Sequence, residues 1–180
     1  MKEGVCVPST TFKTRVRDES IGGDNPFKWQ DLTTKEIFLG NRVVVFSLPG
    51  AFTPTCSTFQ VPGFEQNYDK IRDMGIDEIY VLSVNDTFVM RKWMLDQNVC
   101  KVKFIPDGNG EFTRQLGMLV DKSNLGFGSR SWRYAMVVNN GVIEKWFEEP
   151  GREDCCESDP YGETSPENVM EYLSGAQKLK

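Results

Sequence analysis

Val43–Gly63 reads VVVFSLPGAFTPTCSTFQVPG, and the fold follows from how this stretch is parsed. Val43, Val44, Val45 and Phe46 form a short apolar, largely β-branched run, the pattern of a buried strand. The run gives way at Pro49-Gly50, a turn dipeptide, and a loop carrying Thr53, Pro54 and Thr55 leads to Cys56, where a helix is expected to begin. Cys56 therefore sits at the carboxyl end of a strand, where open α/β sheets bind ligands. A helix start offers unpaired N–H groups and a partial positive charge, and both stabilise a thiolate. Thr53 lies three residues upstream and shares a face with the sulfur if the turn is helical. Pro49 has no N–H and can wall a pocket without competing for hydrogen bonds. A lone cysteine after a core strand is usually a small structural hydrophobe, but the spacing Pro-x-x-x-Thr-x-x-Cys favours chemistry.

Working outward, Thr10–Val16 and Phe27–Leu32 read as strands around the turn chemistry of Ile21–Pro26, an N-terminal hairpin. Thr33-x-x-Glu36 is a capping box that opens a short helix ending near Gly40. The helix after Cys56 is expected to be interrupted or kinked around Pro62-Gly63 and to resume with Phe64, Tyr68 and Ile71 on one face. Ile79–Val84 predicts the next strand. Asn85-Asp86 caps a helix from Thr87 to about Gln97, with Val89 and Trp93 on one side. Val102–Ile105 is a short strand, Pro106–Gly110 a turn, Glu111–Leu116 a helix and Asp121–Ser131 a loop. Asn140-Gly141 joins Trp132–Val138 to Val142–Phe147 as a hairpin. Ser165-Pro-Glu starts a last helix. Strands alternating with helices, plus hairpins, indicate an α/β fold with a mixed β-sheet flanked by helices.

The 180 residues suffice for a single domain over residues 1–180, with its core at about residues 10–173. A net charge of −5 disfavours nucleic acid and anionic membrane as partners. No apolar stretch approaches a membrane span, and Met1–Pro8 has no signal-peptide core, so a cytoplasmic, thiol-reducing location is expected. The chain has five cysteines, at positions 6, 56, 100, 155 and 156, none in a C-x-x-C pair, and no histidine. A Cys–His hydrolase is thereby excluded, because no imidazole can take the thiol proton. A histidine-containing zinc site is excluded as well, and the cysteine spacing makes no four-thiolate site.

Phe46-Ser-Leu-Pro-Gly-Ala-Phe-Thr-Pro-Thr-Cys56 resembles the signature of the peroxiredoxins, and specifically of the peroxiredoxin-five (type II) subfamily. Ser83–Met90, Phe104–Phe112 and Arg133–Val138 extend the likeness over most of the chain, and the sequence also resembles the peroxidase half of peroxiredoxin–glutaredoxin fusions. The resemblance implies a thioredoxin-like fold, a homodimer and no cofactor. It also implies reduction of hydrogen peroxide and alkyl hydroperoxides through a sulfenic acid at Cys56, with glutathione and glutaredoxin, or thioredoxin, as reductant. It assigns Arg133 to the active site beside Cys56, Thr53 and Pro49. Two other readings stand beside it: a peroxide-sensing thiol-relay module with little turnover, and a binding domain with a structural cysteine.

Arg130 is expected to be solvated, and Cys100 and Cys6 to be a helix-end thiol and a thiol in a frayed terminus. Cys155 and Cys156 lie in the polar stretch Gly151–Pro160 and read as exposed, mobile thiols. Subfamily members commonly carry a resolving cysteine at the position of Val81 here, or after the Glu-Pro of the last strand, near Glu149-Pro150. Cys156, ahead of Cys155, is the candidate resolving residue on that ground, through a transient Cys56–Cys156 bond; the competing reading is a one-cysteine cycle in which glutathione attacks the sulfenic acid directly.

Overall fold

The computed structural model describes residues 1–177, so Lys178–Lys180 of the expected domain lie outside the described residues. Strands β1 (Thr11–Arg17) and β2 (Phe27–Thr33) form the expected antiparallel hairpin. Helix α1 (Thr34–Phe38) carries the expected box: the Glu36 N–H donates to the Thr33 hydroxyl at 3.3 Å, and the Thr33 N–H donates to the Glu36 carboxylate at 2.7 Å. After β3 (Arg42–Ser47) the chain winds through a π-helical turn (Cys56–Gln60) into α2 (Val61–Gln66) and α3 (Tyr68–Asp73). It continues through β4 (Glu78–Ser83), α4 (Thr87–Asp96), β5 (Lys103–Pro106) and α5 (Glu111–Gln115). Two short strands, β6 (Leu119–Asp121) and β7 (Ser129–Ser131), precede β8 (Tyr134–Asn139), β9 (Val142–Glu148) and the last helix, α6 (Pro166–Gln177).

The main sheet has the order β5-β4-β3-β8-β9, with β3 parallel to β4 and antiparallel to β8. This central position explains why Val43–Phe46 is an unbroken apolar run rather than an alternating one. Every one of its side chains is buried, and alternate residues feed two different cores. Val44 and Phe46 pack with Phe64, Ile71, Trp93, Val169 and Leu173 on one face, where the Phe46 and Phe64 rings stack with centroids 4.1 Å apart. Val43 and Val45 pack with Phe12, Phe38, Phe112, Trp132 and Met136 on the other. The turn between β8 and β9 has Asn140 and Gly141 at φ 50° and 82°, the left-handed pair that the Asn-Gly dipeptide predicts.

Several expectations need correction. The helix runs through Pro62-Gly63 without a break there. The π-helical turn sends the Val61 N–H to the Cys56 carbonyl, five residues back, and Pro62, which has no N–H to give, falls in the first turn of α2. The interruption comes at Asn67, whose backbone N–H and side-chain amide both donate to the Gly63 carbonyl, at 3.2 and 2.8 Å. The Asp121–Ser131 loop is bounded by the paired strands β6 and β7. The strand expected from Trp132 starts at Tyr134. The amino terminus is pinned rather than frayed: Cys6 bridges to Val142, and the Val7 N–H donates to the Gly141 carbonyl at 2.9 Å.

Candidate active site

The turn after β3 delivers Cys56 to the face of the sheet that also carries α2 and α6. Its side chain is fully buried among Phe46, Leu48, Val61 and Ala135. Burial alone disfavours a thiolate, so the polar neighbours decide what this sulfur can do. One end of β8 supplies the answer. Arg133 precedes Tyr134 of that strand, and its Nη1 lies 3.5 Å from the Cys56 sulfur. Among the described residues no backbone N–H reaches the sulfur, so a guanidinium occupies the place expected for the helix-start amides.

The guanidinium is only 1% exposed and is held on several sides. Nη1 also donates to Gln60 Oε1, one helical turn beyond Cys56. Nη2 pairs with the Asp159 carboxylate at 2.6 Å, and the Tyr161 ring lies over the group, 5.8 Å from Cζ. Burial works against the Arg133 charge, but the Cys56 sulfur and the Asp159 carboxylate outweigh it and hold the guanidinium above its ordinary value. Gln60 is itself fully buried and donates from Nε2 to Thr164 Oγ1 at 3.3 Å. Thr164 is fixed in turn by Glu149, whose buried carboxylate accepts the Glu163 and Thr164 N–H groups at 3.0 and 2.9 Å. The arrangement is a buried sulfur beside a clamped, permanently charged donor fork. It can bind and polarise an oxygen–oxygen bond presented to it.

The remaining residues singled out from sequence fall into two groups. Thr53 is half-buried in the loop before the helix. Its hydroxyl donates to the Gly50 carbonyl at 2.7 Å and its carbonyl accepts the Ser57 N–H at 3.0 Å, so its hydrogen bonds go to the loop and not to the sulfur. Pro49 is buried, and its carbonyl faces Arg130 Nη1 at 3.5 Å. Arg130 is thus not the solvated arginine expected: it is half-buried against this loop, close enough that a Cβ at Gly50 would lie 2.6 Å from its Nη1, and burial pulls its pKa below the ordinary value.

Cys155 and Cys156 are not brought to Cys56, and the mobile, exposed pair expected from the polar sequence is corrected in part. Cys155 is exposed, but its N–H donates to the Asp121 carbonyl at 2.8 Å and its own carbonyl accepts from the Asn124 amide at 3.2 Å. Cys156 is only 7% exposed and packs with Trp132 and Met118 in the core on the opposite face of the sheet from Cys56. Cys100 is an exposed thiol as expected.

Sequence reasoning passed over Gln60 and Asp159. Gln60 had a usable signal, since a polar residue four positions after the cysteine falls on the same helical face. Asp159 had none, being one acid among several in an acidic segment.

Comparison with known proteins agrees with this geometry. The redoxin family profile matches residues 24–163. A peroxiredoxin of Rhizobium etli is 62% identical over 167 residues, which cover 93% of each chain. The hybrid peroxiredoxin hyPrx5 of Haemophilus influenzae is 48% identical over 178 residues, 99% of this chain and 68% of that protein. The crystal structure of the Plasmodium falciparum antioxidant protein, described as a 1-Cys peroxiredoxin, superimposes with a TM-score of 0.89 at 37% identity, covering 96% of this chain and 99% of that one. A thioredoxin-like sheet, a buried Cys56 at the start of its helix, and relatives alike over nearly the whole chain lead to one conclusion: this protein belongs to the redoxin family and is a peroxiredoxin, a thiol peroxidase that reduces peroxide through Cys56.

Proposed function

We propose that the protein is a peroxiredoxin of the peroxiredoxin-five (type II) kind. It acts as one domain and homodimer on hydrogen peroxide and alkyl hydroperoxides, and is recycled by glutathione and glutaredoxin in a one-cysteine cycle. The observation that carries this reading is the contrast between Cys56, 3.5 Å from the Arg133 guanidinium, and Cys156, buried on the far face of the sheet. A Cys56–Cys156 bond would require Cα atoms within about 7 Å, and forming it would mean extracting Cys156 from its core. A cytoplasmic location fits a glutathione-dependent cycle.

In the first step the Cys56 thiolate attacks one peroxide oxygen. The S–O bond forms with a sulfur electron pair, the O–O bond breaks, and hydroxide or alkoxide leaves and takes up a proton. Arg133 stabilises the thiolate and the negative charge that passes to the leaving oxygen; Thr53 and Pro49 shape the approach. In the second step a glutathione thiolate attacks the Cys56 sulfenic sulfur; the S–S bond forms, the S–O bond breaks, and hydroxide leaves and takes up a proton from solvent to become water. A thiol of glutaredoxin or of a second glutathione then attacks the glutathione sulfur and releases Cys56 as thiolate, with the disulfide as product.

Steady-state peroxide consumption with glutathione, glutaredoxin or thioredoxin tests the reading. Turnover with glutathione and glutaredoxin, retained in a Cys155→Ser/Cys156→Ser double variant, is expected. Turnover with thioredoxin alone that disappears in the double variant overturns the one-cysteine cycle, and oxidation without turnover in any system favours the thiol relay. Light scattering that shows only a 20.5 kDa species at micromolar concentration counts against the dimer.

A further inference from the structure

The segment between β9 and α6 crosses the edge of the sheet. Cys156 at one end packs in the core beneath Trp132, and Thr164 at the other meets Gln60 beside Cys56. Between them Asp159 and Tyr161 reach Arg133. We propose that Asp159 is a positioning residue for peroxide reduction, holding the plane of the Arg133 guanidinium so that Nη1 faces the Cys56 sulfur.

A planar guanidinium needs anchors on more than one nitrogen to be fixed in orientation. Here Nη1 serves both the Cys56 sulfur and Gln60, and Nε has no partner among the described residues. Asp159 is the anchor on Nη2. The Tyr161 ring, stacked in turn on Phe59 with centroids 6.5 Å apart, covers a face of the group but gives it no directional bond. The asymmetry of exposure points the same way. The Arg133 side chain is 1% exposed and that of Asp159 is 42% exposed, so the carboxylate comes in from the rim to meet a buried cation. The other charged or titratable groups on this side are Glu149 behind Thr164, Glu167 near Tyr161, and Arg130 on the Pro49-Gly50 loop. None of their side chains makes a hydrogen bond to the Arg133 guanidinium among the described residues; Glu149 meets Arg133 only through its backbone N–H, which donates to the Arg133 carbonyl at 3.2 Å.

This inference rests on the role proposed for Arg133, and the test separates the two. The rate constant for oxidation by hydrogen peroxide is measured by stopped-flow, at a pH where Cys56 alkylation has reached its plateau, for wild type, D159A, D159N, R133M and R133M/D159A. D159A is expected to lose about tenfold, because a misdirected donor no longer meets the reacting oxygen. D159N keeps an oxygen acceptor on Nη2 without its charge and is expected to lose less. Its Cys56 alkylation profile moves to lower pH, since a negative charge has left the vicinity of the sulfur. R133M/D159A is expected to be no slower than R133M. A wild-type rate in D159A beside a slow R133M overturns the role of Asp159 alone. So does a D159A loss that adds in full to that of R133M, or equal losses in D159A and D159N with an unmoved alkylation profile. A wild-type rate in R133M overturns the reading of Arg133 and this one with it.

Discussion

Cys56 and Cys156 are both buried thiols packed against the same sheet, one on each face, yet only Cys56 is placed for chemistry. Cys56 has a guanidinium nitrogen 3.5 Å from its sulfur. Among the described residues the one hydrogen-bonding contact of the Cys156 sulfur is with the Ser158 hydroxyl, at 3.3 Å, and the nearby Lys122 ammonium is turned to the Cys156 carbonyl instead, at 3.4 Å. Burial therefore does not separate the catalytic Cys56 from Cys156. A fixed cation aimed at sulfur, with its own counter-ion and amide anchor, does.

Exchanging the sulfur itself breaks the contrast most directly. Cys56→Ser is expected to abolish peroxide reduction, because a serine hydroxyl is un-ionised at neutral pH and lacks sulfur's nucleophilicity. Cys156→Ser is expected to keep it. Substantial turnover in the purified Cys56 variant, or its loss in the folded Cys156 variant, inverts the assignment.

The next largest effect concerns the cation. Arg133→Met is expected to slow the peroxide step by about a hundredfold and to move the Cys56 alkylation profile to higher pH, since a positive charge beside sulfur has gone. Thr53→Val is expected to slow the step less and to leave the profile where it is, because the Thr53 hydroxyl bonds to the Gly50 carbonyl and not to sulfur. Stopped-flow rates read with alkylation against pH separate charge from shape.

On the other face the expected currency is stability. Cys156→Ser places a hydroxyl among Trp132 and its apolar neighbours and is expected to cost about 1–2 kcal/mol in urea unfolding. Cys155→Ser, at an exposed position, is expected to change stability by under about 0.5 kcal/mol. Equal costs at the two positions would mean that Cys156 is not buried as described.

The smallest effect comes from a second arginine–carboxylate pair, Arg42–Glu144 at 2.6 Å, which makes no hydrogen bond to a thiol among the described residues and serves as the structural counterpart of Arg133–Asp159. Burial tends to raise the Glu144 pKa, but Arg42 and Tyr172 overcome it and hold the carboxyl below its usual 4.5. A depressed carboxyl contributes stability above its unfolded pKa and loses it as pH falls through the folded value. Glu144→Gln is therefore expected to cost about 0.5 kcal/mol at neutral pH, after allowance for solvent screening. The difference should close below the usual carboxylate range, with the peroxide rate unaltered throughout. A cost that persists in acid would point to packing rather than charge.

The parts of the molecule legible in sequence are those built from neighbours along the chain. The β3 run, the Thr33–Glu36 box, the Asn140-Gly141 turn and the cysteine after Pro49-Gly50 each rest on contacts a few residues apart, where spacing constrains geometry. The misreadings have the opposite origin. Gly151–Pro160 looks solvated because of its acids, yet Asp154 takes the Asp121 N–H at 2.8 Å and Cys155 donates to the Asp121 carbonyl, which fastens the segment to β6 and leaves Cys156 in the core. Pro62 looks like a helix breaker, yet it falls in the first turn of α2 after the π-helical turn, while the break between α2 and α3 comes at Asn67, whose side-chain amide donates to the Gly63 carbonyl. Arg130 looks solvated until the Pro49-Gly50 loop is folded against it.

By itself the sequence determined a buried strand, the tight loop that follows it, and a cysteine at the head of the next helix, because apolar runs, proline and glycine act on the backbone locally. The tertiary structure decided which groups surround that sulfur. Arg133 is 77 residues from Cys56 along the chain and Asp159 a further 26 from Arg133; Arg133 meets the sulfur because β8 pairs with β3, and Asp159 meets Arg133 because the last connection crosses the edge of the sheet. Strand order and register set such contacts, and they arise from burial summed over the whole chain, which no local spacing encodes.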